Sequence, residues 1–115
     1  MRWRKLINWP EEELWRGSVF RLLKSDWPHE APVDLMLVSS ESSPSGFALV
    51  VTTGYKAGAA SWSLPASAKA KGRVQAISRS WLIKNWQRRV YGACPVTDVR
   101  IIVNYPPGVG IGRGA

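Results

Sequence analysis

The sequence predicts an α+β domain, an antiparallel sheet of about four strands packed against one main amphipathic helix. Three observations point there. Val33–Val38 (VDLMLV) and Phe47–Thr53 (FALVVTT) are apolar runs of strand length, bounded by Pro or Gly and rich in Val and Leu. Asp98–Tyr105 alternates, with Val99, Ile101, Val103 and Tyr105 on one face and Arg100 and Asn104 on the other. Sustained helical periodicity occurs over about Arg73 to Tyr91, where Val74, Ile77, Trp81, Leu82, Trp86 and Val90 form an apolar stripe.

Taken in order, Pro10 followed by Glu11, Glu12 and Glu13 reads as the first turn of a short helix, with the acids at the positive end of the dipole. Gly17 ends it. Ser18–Leu23 is β-compatible and is closed by the turn-forming Lys24-Ser25-Asp26-Trp27-Pro28. The polar segment Ser39–Ser45 is of a length to join two neighbouring antiparallel strands. From Gly54 to Gly72 the composition turns to Ala, Ser, Gly and Lys around Trp62, which suits a binding loop or a partly helical excursion. After the main helix, Gly92 fits the C′ position and Pro95 prevents continuation.

A chain of 115 residues is read as one domain, 1–115, with 1–16 a basic Trp-containing N-terminal segment and 106–115 a flexible Gly-rich tail. A chain of this length buries roughly two thirds of its unfolded surface and needs no staples. No apolar run approaches the roughly 20 residues of a membrane span. The opening Met1-Arg2-Trp3-Arg4-Lys5 leads into no signal-peptide core, so a cytoplasmic protein is expected, and the single Cys94 fits a reducing compartment.

Net charge is +8 and unevenly spread. Residues 1–41 hold seven acids and six bases, whereas residues 42–115 hold ten bases and the lone Asp98. Such a field favours an anionic partner, whether nucleic acid, anionic lipid or an acidic protein surface. Seven Trp accompany this charge, and Trp and Arg dominate binding hot spots.

Signals for chemistry are sparse. The tail Gly108–Gly114 is glycine-rich after a strand, yet no helix follows it and it lacks the Lys-Ser/Thr pair of a phosphate loop. His29 and Cys94 are a lone pair of nucleophile-and-base types with nothing to bring them together, and two such residues fall short of the four ligands of a structural zinc. No catalytic, cofactor or metal residue is therefore assigned, and no enzymatic activity is expected. On the main helix, Trp81 and Trp86 lie about 140° apart at about 100° per residue. At least one of them belongs to the core, so the helix reads as docked on the sheet with a solvated basic face. Gly54-Tyr55-Lys56-Ala57-Gly58 follows a strong strand and reads either as a tight turn or as a contact tip. The candidate partner-binding residues are Tyr55, Lys56 and Trp62, then Arg79, Lys84, Arg88 and Arg89.

The run GSVFRLLKSDWPHEAPVDLMLVSS, with SGFALVVTTGYKAG and ISRSWLIKNWQRRVYGACPVTDV, resembles the bacterial immunity proteins of polymorphic-toxin and contact-dependent growth-inhibition systems. Within them it is similar to the immunity protein 45 family, over about Trp15 to Tyr105. The resemblance implies a non-catalytic cytosolic protein that binds a cognate toxin C-terminal domain and blocks it. With a charge of +8, the toxin surface covered is expected to be acidic, or the inhibition to act away from a phosphate-binding groove. A small basic nucleic-acid-binding module is the alternative that composition leaves open.

Overall fold

A computed structural model describes residues 3–23, 33–53, 57–58, 61–72 and 74–103. Eight strands are present among them: β1 (Arg4–Lys5), β2 (Glu13–Leu14), β3 (Val19–Leu22), β4 (Val33–Ser39), β5 (Phe47–Val51), β6 (Ser61–Ser63), β7 (Ile77–Ser78) and β8 (Val99–Ile102). The helix α1 spans Arg79–Asn85 and runs directly into a π-type turn, Trp86–Val90. The α+β class stands, but about four strands was too few. Six form the main sheet, in the order β1-β8-β3-β4-β5-β6, and β2 pairs with β7 in a separate ribbon. The four expected strands form the centre of that sheet. The additions are two or three residues long and include the polar Ser-Trp-Ser of β6, which carries no apolar periodicity to detect.

All pairings are antiparallel. Strands β3 to β6 follow one another as a meander, and the last strand, β8, inserts between β1 and β3. One face of the sheet is a continuous apolar surface. Ile101, Phe20, Leu35 and Val51 form one cross-strand row, with Val99, Leu22 and Val33 beside it and Leu37, Leu49 and Trp62 on the other side. Helix α1 and its π-turn cover this face with Leu82, Trp86 and Val90. Trp86 is completely buried, 6.1 Å from Phe20 between ring centroids.

The opposite face is apolar at its centre too. Val19 and Ile102 are buried there, as is Ala48. Met36 of β4 and Val50 of β5 are half-buried on the same face, so both faces of these strands carry apolar residues and their sequences read as near-continuous apolar runs without alternation. Beside them Arg21 of β3 forms a two-pronged ion pair with Asp34 of β4, Nε to Oδ1 at 2.8 Å and Nη2 to Oδ2 at 3.0 Å. Trp3 lies over the Arg21 guanidinium at 4.2 Å and so ties the N-terminal segment to this face.

Three further expectations are corrected. The main helix begins at Arg79 instead of Arg73, because Ile77 and Ser78 pair with Leu14 and Glu13 in the ribbon. Ser78 then caps the helix, its Oγ accepting from the Trp81 N–H at 3.1 Å. At the other end, Gly92 does not take the left-handed conformation of a C′ glycine. The segment closes instead through Tyr91 N donating to Trp86 O, a five-residue step. The helical turn expected at Pro10–Glu13 is replaced by a 3-10 turn at Leu6–Asn8 and by the strand β2. Residues 3–16 are integral to the fold, with Leu6 and Leu14 buried in the core. Asp98 belongs to a 3-10 turn, Val96–Asp98, that precedes β8, and Val103 beyond the strand is exposed. The Gly-rich tail, Asn104, Tyr105 and His29 lie outside the described residues.

Candidate protein-interaction surface

The proposed contact residues divide by position. Tyr55 and Lys56 lie outside the described residues. Trp62, on β6, is half-buried against the core and meets Tyr91 edge-on at 6.3 Å. Because Tyr91 directly follows the π-turn, this contact brings Trp62 to the end of the helical segment that carries the exposed Arg88 and Arg89. Lys84 is exposed at mid-segment. Arg79, by contrast, sits half-buried at the start of α1, where Nη1 donates to the Ile7 carbonyl at 3.3 Å. The structure thus gathers Trp62, Arg88 and Arg89 near one end and leaves Arg79 at the other. Trp86 faces inward and Trp81 is half-buried against the core, so the helix does not present two rings as a stacking platform.

A residue that sequence reasoning passed over is the most exposed large apolar side chain among those described. Trp15 is 44% exposed. It occupies the turn between β2 and β3, and that turn is tightly fixed. Ser18 Oγ and Ser18 N both donate to the Trp15 carbonyl, at 2.8 and 3.0 Å. Gly17 takes φ 95°, a left-handed conformation open to glycine, and its N–H donates to Leu37 O at 2.8 Å. Trp15 and the exposed Arg16 stand at an open cleft of about 460 Å³, completed by Ser39, Gly46, Phe47 and Gln75. Trp15 also lines a second open cleft, with Glu11, Glu12 and Glu13. The sequence signal was a Trp-Arg-Gly-Ser turn, in which glycine and serine supply the bend and the two side chains left over are hot-spot types.

Glu12 fastens this turn to the helix. Its carboxylate accepts from Ser78 Oγ, from Ser80 Oγ at 2.7 Å and from Ser80 N at 3.2 Å, while its carbonyl accepts from Arg79 N at 2.8 Å. One residue just before β2 thus satisfies, with its carboxylate and its carbonyl, the Ser80 and Arg79 N–H groups that the helix start leaves unpaired. Burial alone would raise the Glu12 pKa, but the hydrogen bonds from Ser78 and Ser80 and the Arg79 charge outweigh it and hold the carboxyl below its usual value. A carboxyl depressed in the folded state stabilises at pH above its unfolded value, and that contribution is lost as pH falls through the folded value. Glu12→Ala is therefore expected to cost about 1 kcal/mol near pH 7, the scale of a lost helix cap. The difference from wild type should shrink in urea titrations carried below about pH 4, under the ordinary glutamate pKa. A gap that stays constant with pH would show that the charge plays no part.

Cys94 is buried, its Sγ–H directed at Pro95 O at 3.6 Å. Among the described residues no group of three His, Cys, Asp or Glu side chains could hold a metal ion, and no helix is long and apolar enough to cross a membrane. A tryptophan on a turn of fixed backbone and a surface arginine without an ion pair among the described residues, both at an open cleft, are features of a binding surface. Residues 6–101 match the family model described as Immunity protein 45, and the chain belongs to that family. No curated protein and no solved structure matches it.

Proposed function

We propose that the protein binds a cognate bacterial toxin domain and neutralises it by stoichiometric occlusion, without turnover of a substrate. The observation that carries this reading is the family match across residues 6–101. Immunity proteins of this kind act by binding. The toxin is the C-terminal domain of a contact-dependent growth-inhibition or related polymorphic-toxin protein, and the encounter takes place in the cytoplasm. The exposed Lys84, Arg88 and Arg89, within a chain of net charge +8, steer it towards an acidic toxin surface. Tyr55, Lys56, Trp62 and Arg79 complete the interface that sequence reasoning assigned.

Co-expression with the C-terminal domain encoded immediately upstream of the gene tests this. Cell survival together with a co-purifying 1:1 complex is expected. Loss of the complex, with abundant nucleic acid stripped off by salt, would replace the reading by a basic nucleic-acid-binding module. Salt also separates the two in vitro. For a protein complex the association rate should fall roughly tenfold or more between low and high salt while the dissociation rate changes little. For phosphate contacts the affinity itself should fall by about three to five orders of magnitude. Stopped-flow and equilibrium titrations at two salt concentrations measure both.

A further inference from the structure

The geometry points to the Trp15–Arg16 turn as the anchor of the toxin interface, taking a toxin loop that carries a carboxylate next to an apolar pocket. The inference rests on the toxin-binding reading and goes beyond it, since none of the residues assigned above belongs to this turn.

Exposure comes first. Folding gains from burying a tryptophan, and six other tryptophans are present in the chain. Trp15 nevertheless keeps 44% of its surface accessible. It is displayed on a turn whose backbone is fixed by three hydrogen bonds and a left-handed Gly17. A backbone fixed in this way makes the turn less costly to bind against, because little of its backbone freedom remains to be lost on association. Flexible attachment would have served solubility equally well and binding less well.

The chemistry of the occupant follows from what borders the ring. Arg16 is exposed and makes no ion pair among the described residues. The rest of its cleft is neutral, lined by Ser39 and Gln75, which can offer hydrogen bonds, and by Phe47 and Gly46. An incoming carboxylate therefore finds one cation and no resident acid on that side. In the neighbouring cleft that Trp15 also borders, Glu11, Glu12 and Glu13 repel a second acid. Trp15 thus borders one cleft whose charged residue is Arg16 and another whose charged residues are all acids, which favours a loop with its acid beside Arg16 and its apolar pocket over Trp15. The net charge of +8 steers partners of the same sign preference towards the molecule as a whole.

Titration calorimetry with the upstream-encoded toxin C-terminal domain tests this, using wild type, Trp15→Ala, Trp15→Phe and Arg16→Glu. Trp15→Ala is expected to raise Kd at least about 30-fold and Arg16→Glu at least about tenfold, while Trp15→Phe keeps most of the affinity. Melting temperatures are measured alongside. Arg16→Glu, at an exposed position, should leave stability almost unchanged, so its loss of binding cannot be ascribed to unfolding. If wild type binds and both Trp15→Ala and Arg16→Glu bind within threefold of it, the anchor assignment is overturned and toxin binding stands. If wild type itself forms no complex with that domain, both fall together.

Discussion

Replacing Trp86 with alanine is expected to lower the unfolding free energy by about 3–5 kcal/mol, the range measured for large aromatic truncations in cores. Trp86 has no accessible surface, packs against Phe20 and is the largest fully buried side chain among those described. It is also the point where α1 gives way to the π-turn, so the cavity would open under the seam between helix and sheet. Its surroundings cannot collapse easily, because Phe20 and Leu35 belong to central strands paired on both edges. Trp86→Phe provides the control. The Trp86 Nε1–H is buried without a hydrogen-bond partner among the described residues, a condition that costs about 1–3 kcal/mol. Phenylalanine removes that donor while keeping most of the ring, so the loss should be well under half of that for alanine. Chemical denaturation of the three proteins measures this. An alanine variant within about 1 kcal/mol of wild type, against a total stability of about 5–15 kcal/mol for domains of this kind, would mean the core does not hinge on this ring.

The elements legible in the sequence were those whose burial leaves a pattern. β4 and β5 announced themselves as apolar runs between turn residues, and the Ser39–Ser45 loop between them joins an antiparallel pair as its polar composition suggests. The alternation of β8 was legible on one face only. Val99 and Ile101 enter the helix-covered core while Ile102 is buried on the opposite face, which an alternation rule assigns to polar residues. What stayed hidden were the short elements held by partners distant in sequence. Ile77 continues the helical stripe on a wheel, yet it pairs with Leu14, 63 positions away. No local propensity contains that information. Glu12 likewise reads as an acid in the first turn of its own helix, whereas it caps a different helix through Ser78 and Ser80.

The surface was less legible than the core for the same reason. Charge and residue type nominated Arg79 because it lies on a basic helix, and its guanidinium is committed to the Ile7 carbonyl. In the sequence Trp15 is one tryptophan of a basic Trp-containing segment, 1–16. Its prominence arises only when Gly17 and Ser18 fold the turn and Leu37 accepts the Gly17 N–H, which is tertiary information. Family membership narrows function where periodicity cannot, since an interface selected for another molecule leaves no internal pattern in its own chain.

Removing Arg21 is expected to cost about 3–5 kcal/mol, and more than removing its partner Asp34. The asymmetry comes from burial. The Asp34 side chain is 1% exposed and the Arg21 side chain 33%. Arg21→Met leaves a carboxylate sealed from water with its two-pronged donor gone and takes the cation from beneath Trp3 as well. Asp34→Ala leaves a guanidinium that still reaches solvent, so about 2–3 kcal/mol is expected, near the value of hydrogen bonds to a charged group. Neighbouring charge does not rescue the first variant. In the sheet register Lys5 faces Arg100 and Arg100 faces Arg21, so Arg100 stands two strands from Asp34, about 10 Å away at the usual strand spacing. Three cations in one cross-strand row also give Asp34 its role, as the counter-charge that lets a strongly basic face pack. The double variant Arg21→Met/Asp34→Leu should nevertheless be more stable than Arg21→Met alone, because it leaves no carboxylate sealed from water without its donor. Equal single losses that simply add in the double variant would refute this account. Binding gives the last separation. Arg21 belongs to the frame, so Arg21→Met should shift the denaturation midpoint while toxin affinity, measured where the protein is still folded, stays close to wild type. Arg16→Glu should do the reverse.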